Sequence, residues 1–576
     1  MIQHFTGEFG KLSDVPVQTP DKDEIVDKHH SLADRISNAS SADEAIAAVK
    51  EYFVLSDDVM TAFALIYIRH TCNTKDEHYS ELTDLMDEIS PFVSEASNMV
   101  DSALYNSQYR KELEEEFGSL FFEQTAQSMK TFSPAIVNDL VEENKLASQY
   151  TNLISGALIE FDGKKLSISQ MGKYTKSSDR AVRSEANKKV WAFYEENDDE
   201  IGDIYDRMVK VRTKIAQTLG YENYVQMGYD RMGRLDWNKD DASVYREKIL
   251  TYIVPLSEKI FATQKERLGY GDSTTFHDYS IFYKSGNPTP KGTTGEMVNA
   301  AKEMYAELSP VASHYFNFMV DHECMDLDAR PGKAGGGYME YLPGLKTSII
   351  FANSNGTSDD VDTLTHEFGH SLQGFLGGEQ TVPSYRAPGL ECCEMHSMSM
   401  EFLTYPWMDK FFKEDTEKYK YQHLCDAITF IPYGCIVDAF QTYCYEHPDM
   451  NHAERKAYWR TLEKQYLPHL TYDEIPYLES GAWWVRQHHI FQNPLYYLDY
   501  TIAQVVALEF FTESLGDREG TFDKYLRFCR LGGTLPFRKL LKEAGIANPM
   551  DGNTLKNVAE SVMSYLDTFN LENIDK

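Results

Sequence analysis

The sequence predicts a mainly α-helical protein with a small β region, on three observations. Capping signals precede apolar residues at helical spacing over most of the 576 residues. Only two short stretches carry strand and turn signatures. No repeat of fixed period and no low-complexity tract interrupts the pattern. The composition is that of an ordered globular chain, with 42% hydrophobic, 25% charged and 13% aromatic residues.

Along the chain, Ser41-x-x-Glu44 is a capping box, followed by Ile46, Val49 and Phe53 on one helical face. Helical patterns continue to about Asn152. Leu158–Phe161 and Lys165–Ile168 then flank Asp162-Gly163, a strong two-residue turn signal, and predict a hairpin. Helix resumes near Ser178 with Asp179, Val182, Ala186, Val190 and Phe193. The stretch Arg212 to Tyr224 (RTKIAQTLGYENY) reads as a helix ended by Gly220. Residues 270–293, rich in Gly, Ser, Thr and Pro, read as a loop. Gly335-Gly336-Gly337 opens the second β region, with strands over Tyr338–Leu342 and Thr347–Ala352 and a turn at 353–356. Helical patterns fill the rest. The division this suggests is an N-terminal helical domain over 1–200, including the hairpin near 158–168, and a second domain over 201–576.

Asp plus Glu number 90 against 56 Lys plus Arg, for a formal charge of −34. Phosphate neutralisation needs basic stripes, so this balance argues against nucleic acid and against anionic membrane surfaces. The first residues lack the apolar core of a signal peptide, and no apolar stretch of about 18 residues reads as a membrane span. Eight cysteines without a CxxC pair read as thiols of a reducing compartment, so the expected location is cytoplasmic.

The chemistry concentrates at His366-Glu367-Phe368-Gly369-His370, an HExxH motif. Ser358, Asp359 and Asp360 form an acidic helix start. Val361, Leu364, Phe368, Leu372 and Phe375 recur at helical spacing, and Gly377-Gly378 ends the helix. One turn apart on one face, His366 and His370 can reach one metal ion. Glu367 lies about 100° round the helix, displaced from a ligand position but near enough to touch a metal-bound water. Gln373 and Leu376 stand where HExxHxxGxxH would need its glycine and third histidine, so the third ligand is expected to be a downstream carboxylate. A helix from about Leu390 offers Glu391, Glu394 and Glu401. Glu394, Ser397, Met398 and Glu401 share a face, which lets Glu394 bind metal while Glu401 takes the distal N–H of a ligand histidine.

HEFGHSLQ followed by Glu394-Met395-His396-Ser397-Met398-Ser399-Met400-Glu401 resembles the thimet oligopeptidase and oligoendopeptidase F family of zinc metallopeptidases, in particular its Pz-peptidase-like branch. The likeness extends over roughly residues 150–530, taking in RTKIAQTLGYENY and the Asp162-Gly163 hairpin. It implies two helical halves enclosing a deep channel, one Zn²⁺ per chain held by His366, His370 and Glu394, and short peptides as substrates. Arg486–Tyr500 carries a histidine and a tyrosine cluster. By composition alone packing explains this better, since a chain with 37 tyrosines clusters some of them. The resemblance assigns it to oxyanion stabilisation, aligning best on His489, Tyr497 and Tyr500, with Tyr496 as an alternative.

The reading is therefore a zinc metalloendopeptidase cleaving internal bonds of oligopeptides, with Glu367 as general base. Two alternatives are a zinc carboxypeptidase of similar architecture and a peptide-binding protein with a structural metal. The strand candidate Thr347–Ala352 could hold extended substrate by adding it to a sheet edge, with an ordinary hairpin beside the metal as the equal alternative.

Overall fold

The computed structural model describes residues 4–472 and 475–574. Long helices dominate it, as the sequence predicts. Helix Ala42–Cys72 begins at Ser41, whose hydroxyl accepts the Glu44 N–H at 3.2 Å. The box is not reciprocal: the Glu44 carboxylate turns to the Ser40 N–H at 2.8 Å. Val49 and Phe53 are buried in an apolar cluster with Val100, Leu104, Leu113, Phe117 and Phe121.

The predicted hairpin is present as β1 (Ile159–Phe161) and β2 (Lys164–Leu166), antiparallel with Phe161 opposite Lys164. Asp162 and Gly163 have φ of 51° and 69°, the pair of positive values a tight primed turn needs. Its second strand is shorter than the sequence suggests. Ser167 leaves the ladder to cap the next helix in a reciprocal box with Gln170. Helix Asp198–Thr218 closes at Gly220, where φ is 86° and the Tyr221 N–H reaches back to the Ala216 carbonyl at 2.9 Å. The 270–293 stretch is irregular apart from two 3-10 turns. It is pinned by Asp278, whose carboxylate accepts from Arg180 and from fully buried Arg183.

The second β region has one strand more than expected. β3 (Met325–Asp328), β4 (Tyr338–Leu342) and β5 (Thr347–Ser354) form a sheet in the order β3-β5-β4. β5 runs parallel to β3 and antiparallel to β4. Residues 347–352 are all buried, because helix Ala42–Cys72 and helix Asp359–Gly377 pack against this small sheet. Both edges of β5 are therefore occupied, and Thr347–Ala352 cannot take a peptide as an added strand. The outer edges of this sheet are those of β3 and β4.

The chain divides into two units. The first comprises 1–129, 289–413 and 513–546, and holds the three-stranded sheet and the HExxH helix. The second comprises 130–288, 414–512 and 547–576, and holds the hairpin, helix Asp198–Thr218 and the His489 segment. Among the described residues no helix is long and apolar enough to cross a membrane.

Candidate functional site

In the first unit, helix Asp359–Gly377 carries His366, Glu367 and His370, and helix Leu390–Leu403 carries Glu394 and Glu401. Gly369 lets the two approach. A Cβ there would stand 2.7 Å from the His396 carbonyl and 2.8 Å from the Ser397 Cα, so any larger residue pushes the second helix away. Tyr525, on helix Arg518–Leu531, donates its hydroxyl to the His396 carbonyl at 3.0 Å and tethers this crossing from a third side.

The result is a cluster of His366, His370 and Glu394 whose donor atoms all lie within 4.8 Å of one another. Glu394 Oε2 is 3.2 Å from His366 Nε2 and 3.3 Å from His370 Nε2. With Zn–N and Zn–O bonds of about 2.0–2.2 Å, adjacent donors of a tetrahedral zinc stand about 3.3–3.5 Å apart. The spacing and the two-nitrogen, one-carboxylate donor set both fit that ion. Side-chain exposures of 22% for His366, 17% for His370 and 11% for Glu394 leave a way in for a further ligand.

Two neighbours hold the donors in place. Glu401 Oε1 accepts from His366 Nδ1 at 2.7 Å, which fixes the imidazole with Nε2 turned to the cluster. Ser397 donates to Glu394 Oε2 at 2.9 Å. Burial opposes charging of the His366 imidazole, but hydrogen bonds and charge from Glu394 and Glu401 outweigh it and raise its pKa well above the ordinary value. Burial would likewise raise Glu394, yet the two histidines hold it well below the carboxylate range. A positive charge is thus favoured in the position a metal cation would take.

Glu367 is 7% exposed, and burial is the main cause that raises its pKa. It faces the start of β4: a Cβ on Gly337 would lie 3.9 Å from Glu367 Oε1, 3.4 Å from the Phe351 carbonyl and 3.2 Å from Thr363 Cγ2. The glycine run before β4 is shaped by two side chains. Asn353 donates to the carbonyls of Ala334 and Gly336 at 2.9 and 2.8 Å. Fully buried Lys333 donates to Asp326 Oδ1 at 2.8 Å and to the carbonyls of Asp326, Asp328 and Ala352.

In the second unit, His489 and the tyrosines form a ring cluster of their own. His489 is 5.0 Å from Tyr497 and 5.6 Å from Tyr500 by ring centroids, and Tyr496 is 5.0 Å from Tyr500. Burial pushes the Tyr497 phenol well up, so it remains an O–H donor at neutral pH. Sequence reasoning missed four supporting residues here. Tyr433 donates to Gln487 Oε1 at 2.7 Å, which turns the Gln487 amide nitrogen to His489 Nδ1 at 2.9 Å. An amide N–H only donates, so Nδ1 accepts and a neutral His489 carries its proton on Nε2. Arg212 donates to the carbonyls of Ile490 and Phe491 at 3.2 and 2.5 Å and to Glu143 at 2.7 Å. Arg234 donates to the Leu495 carbonyl at 3.1 Å and to Asp499 at 2.6 Å, with neither side chain of that pair exposed. Between these anchors Leu495 has φ of 65°, a left-handed conformation unusual for leucine. Only Gln487 left a signal in the sequence, as the polar neighbour two residues before His489.

Comparisons with known proteins bear on the whole chain. The model described as Peptidase family M3 matches residues 173–560, and the one described as Peptidase M3 N-terminal domain matches residues 12–132. The oligoendopeptidase F homolog of Borreliella burgdorferi is 22% identical over 423 residues, covering 68% of this chain and 68% of that one. Group B oligopeptidase PepB of Streptococcus agalactiae is 23% identical over 385 residues, which span 64% of this chain and 61% of PepB. A solved Pz peptidase A with an inhibitor is 40% identical with a TM-score of 0.92, covering 97% of this chain and 100% of that one. Oligoendopeptidase-F of Enterococcus faecium, at 14% identity and a TM-score of 0.62 over 97% of this chain and 100% of its own, shares the fold.

Proposed function

The chain belongs to peptidase family M3, and from that premise we propose that it is a zinc-dependent endopeptidase hydrolysing internal bonds of short oligopeptides. The observation that carries the reading is the His366–His370–Glu394 cluster with Glu367 beside it. When bound, zinc supplies Lewis acidity, lowering the pKa of water to about 7 and polarising a carbonyl. The chain's own residues do the rest. His366, His370 and Glu394 would hold the ion, with Glu401 fixing the His366 ring and Ser397 fixing the Glu394 carboxylate. Glu367 removes a proton from the attacking water as oxygen bonds to the scissile carbon. It then passes that proton to the nitrogen as the C–N bond breaks, leaving a free carboxylate and a free amine. The outer edge of β4 runs on from Gly337 past this carboxylate and is the natural place for an extended peptide. Oxyanion stabilisation by His489, Tyr497 and Tyr500 is assigned by the family resemblance rather than by any distance. An Nε2–H tautomer and a high-pKa phenol are the donor forms such a role needs.

All of these residues fall in 201–576, which we take as the catalytic part, with 1–200 as the N-terminal helical part. A cytoplasmic location belongs to the same proposal; all eight cysteines are free thiols.

The test is digestion of a mixed library of end-blocked and free peptides by the zinc-loaded protein, read by mass spectrometry. Internal cleavage of blocked peptides, lost with a chelator and lost in Glu367→Gln while that variant retains zinc, is the expected result. Removal of C-terminal residues alone would favour a carboxypeptidase, and normal turnover by Glu367→Gln would remove Glu367 from the mechanism.

A further inference from the structure

Beyond the metal cluster, Glu340 in the first unit is a half-buried carboxylate without a counter-charge among the described residues. Glu340 lies on β4, three residues past Gly337, about 10 Å along the strand from the point where it passes Glu367. β4 is one of the two edge strands of its sheet, the one that begins beside Glu367. Among the described residues no backbone hydrogen bond from 338–342 goes outside the β4–β5 ladder.

The two faces of β4 have different neighbours. Tyr341 packs under the HExxH helix, where a Cβ on Gly374 would lie 3.1 Å from its ring. Tyr338 points the other way, its hydroxyl 2.6 Å from Thr71 Oγ1 and its ring 5.3 Å from that of Tyr67. By the two-residue period of a strand, Glu340 shares the face of Tyr338. Its proximity to both rings is also electrical. Burial first, and the Glu340 charge with it, raise the pKa of Tyr67 and of Tyr338.

Glu340 is half-buried and makes no hydrogen bond or ion pair with any described residue. Neither carboxylate oxygen is among the polar atoms sealed from solvent. Burial alone pushes its carboxyl up to about 7, with no cation to offset it. Such a group destabilises the fold unless something arrives to pair with it, and residues of that kind concentrate where ligands bind.

Resting on the reading that a peptide lies along β4, we propose that Glu340, flanked by Tyr67 and Tyr338, forms a subsite for a lysine or arginine side chain of the substrate. A strand added to an edge presents alternate side chains to the same face, so one residue in two faces this carboxylate. The tyrosine rings favour a cation on their faces as well. The net charge of −34 draws cationic peptides in the same sense.

The experiment uses the full zinc-loaded chain and a set of fluorescent peptides, each with lysine, arginine, norleucine or glutamate at one position. The ratio of kcat/KM for lysine or arginine over norleucine is expected to peak at one position, at about tenfold. In Glu340→Gln that ratio falls to about one, and in Glu340→Lys the preference at the same position turns to glutamate. The peptides are also bound, by fluorescence anisotropy, to Glu367→Gln with and without Glu340→Gln. This readout needs no turnover, so a failure of the peptidase reading and a failure of the subsite are distinguishable. A cationic preference that survives Glu340→Gln in both assays, or no preference at any position, overturns the proposal.

Discussion

The helices of the first unit that carry the His366–His370–Glu394 cluster and the His489–Tyr500 segment of the second hold their side chains by different means. His366, His370, Glu394 and Glu401 sit in the middle of regular helices, where the backbone satisfies its own hydrogen bonds and one glycine sets the distance between the two rods. His489 and the tyrosines sit on a short turn, a left-handed leucine and the first turns of a helix. There the backbone carbonyls are held by arginines from distant parts of the sequence. A site on regular helices needs few supporting contacts. A site on irregular chain depends on each tether, and its tethers are buried charges whose loss is expensive.

The sharpest way to break this contrast is Arg212→Met. The change leaves the carbonyls of Ile490 and Phe491 without their donor and removes one of the two guanidinium partners of Glu143, the other being Arg231 at 2.9 Å. Loss of about 3–5 kcal/mol of stability is expected, read from the denaturant midpoint at constant slope. Zinc stoichiometry should stay at one per chain, because no ligand belongs to this segment. A loss below about 1 kcal/mol would mean that the irregular segment does not depend on its tether.

A smaller effect of the opposite kind is expected from Glu401→Ala. It removes the acceptor of His366 Nδ1 and leaves helix Leu390–Leu403 otherwise intact. Zinc affinity should fall about 10–100-fold in competition with a chelator, with little change in the denaturant midpoint. Equal effects on metal affinity and on folding would show that the two regions are not built on different principles.

The same contrast decides what could be read in the sequence. Helical periodicity places residues at i, i+4 and i, i+7 on one face whatever surrounds them, so the HExxH helix, its glycine stop and the Glu394–Glu401 face were legible. The hairpin was legible because Asp162-Gly163 demands its own turn. Nothing local marks Arg212 as the partner of a carbonyl 278 residues away, nor Tyr433 as the group that orients Gln487 across 54 residues. β3 was missed because Met325-Asp326-Leu327-Asp328 is short and half polar, and its parallel pairing with β5 is non-local. The continuous buried run at 347–352 announces a strand, but not that the strand is central with both of its edges paired, which is why the sequence alone suggests a free edge there.

Glu340 belongs to neither region's scheme, and the pH dependence of stability separates it from both. Its folded-state pKa, raised by burial to about 7, lies above the ordinary carboxyl value of 4.5. Between those values the folded protein binds more protons than the unfolded chain, so this group makes stability fall as pH rises through the window. The destabilisation is fully present above about pH 7 and absent below about pH 4.5. Glu340→Gln removes the charge and should therefore stabilise the fold at pH 8, on the order of 1 kcal/mol after allowance for partial solvent access, and make little difference at pH 4. Thermal melts of both proteins at the two pH values check this. A residue retained for packing would give the reverse sign, with Gln the less stable at pH 8, so the direction of the shift tells a structural carboxylate from one kept for what it binds.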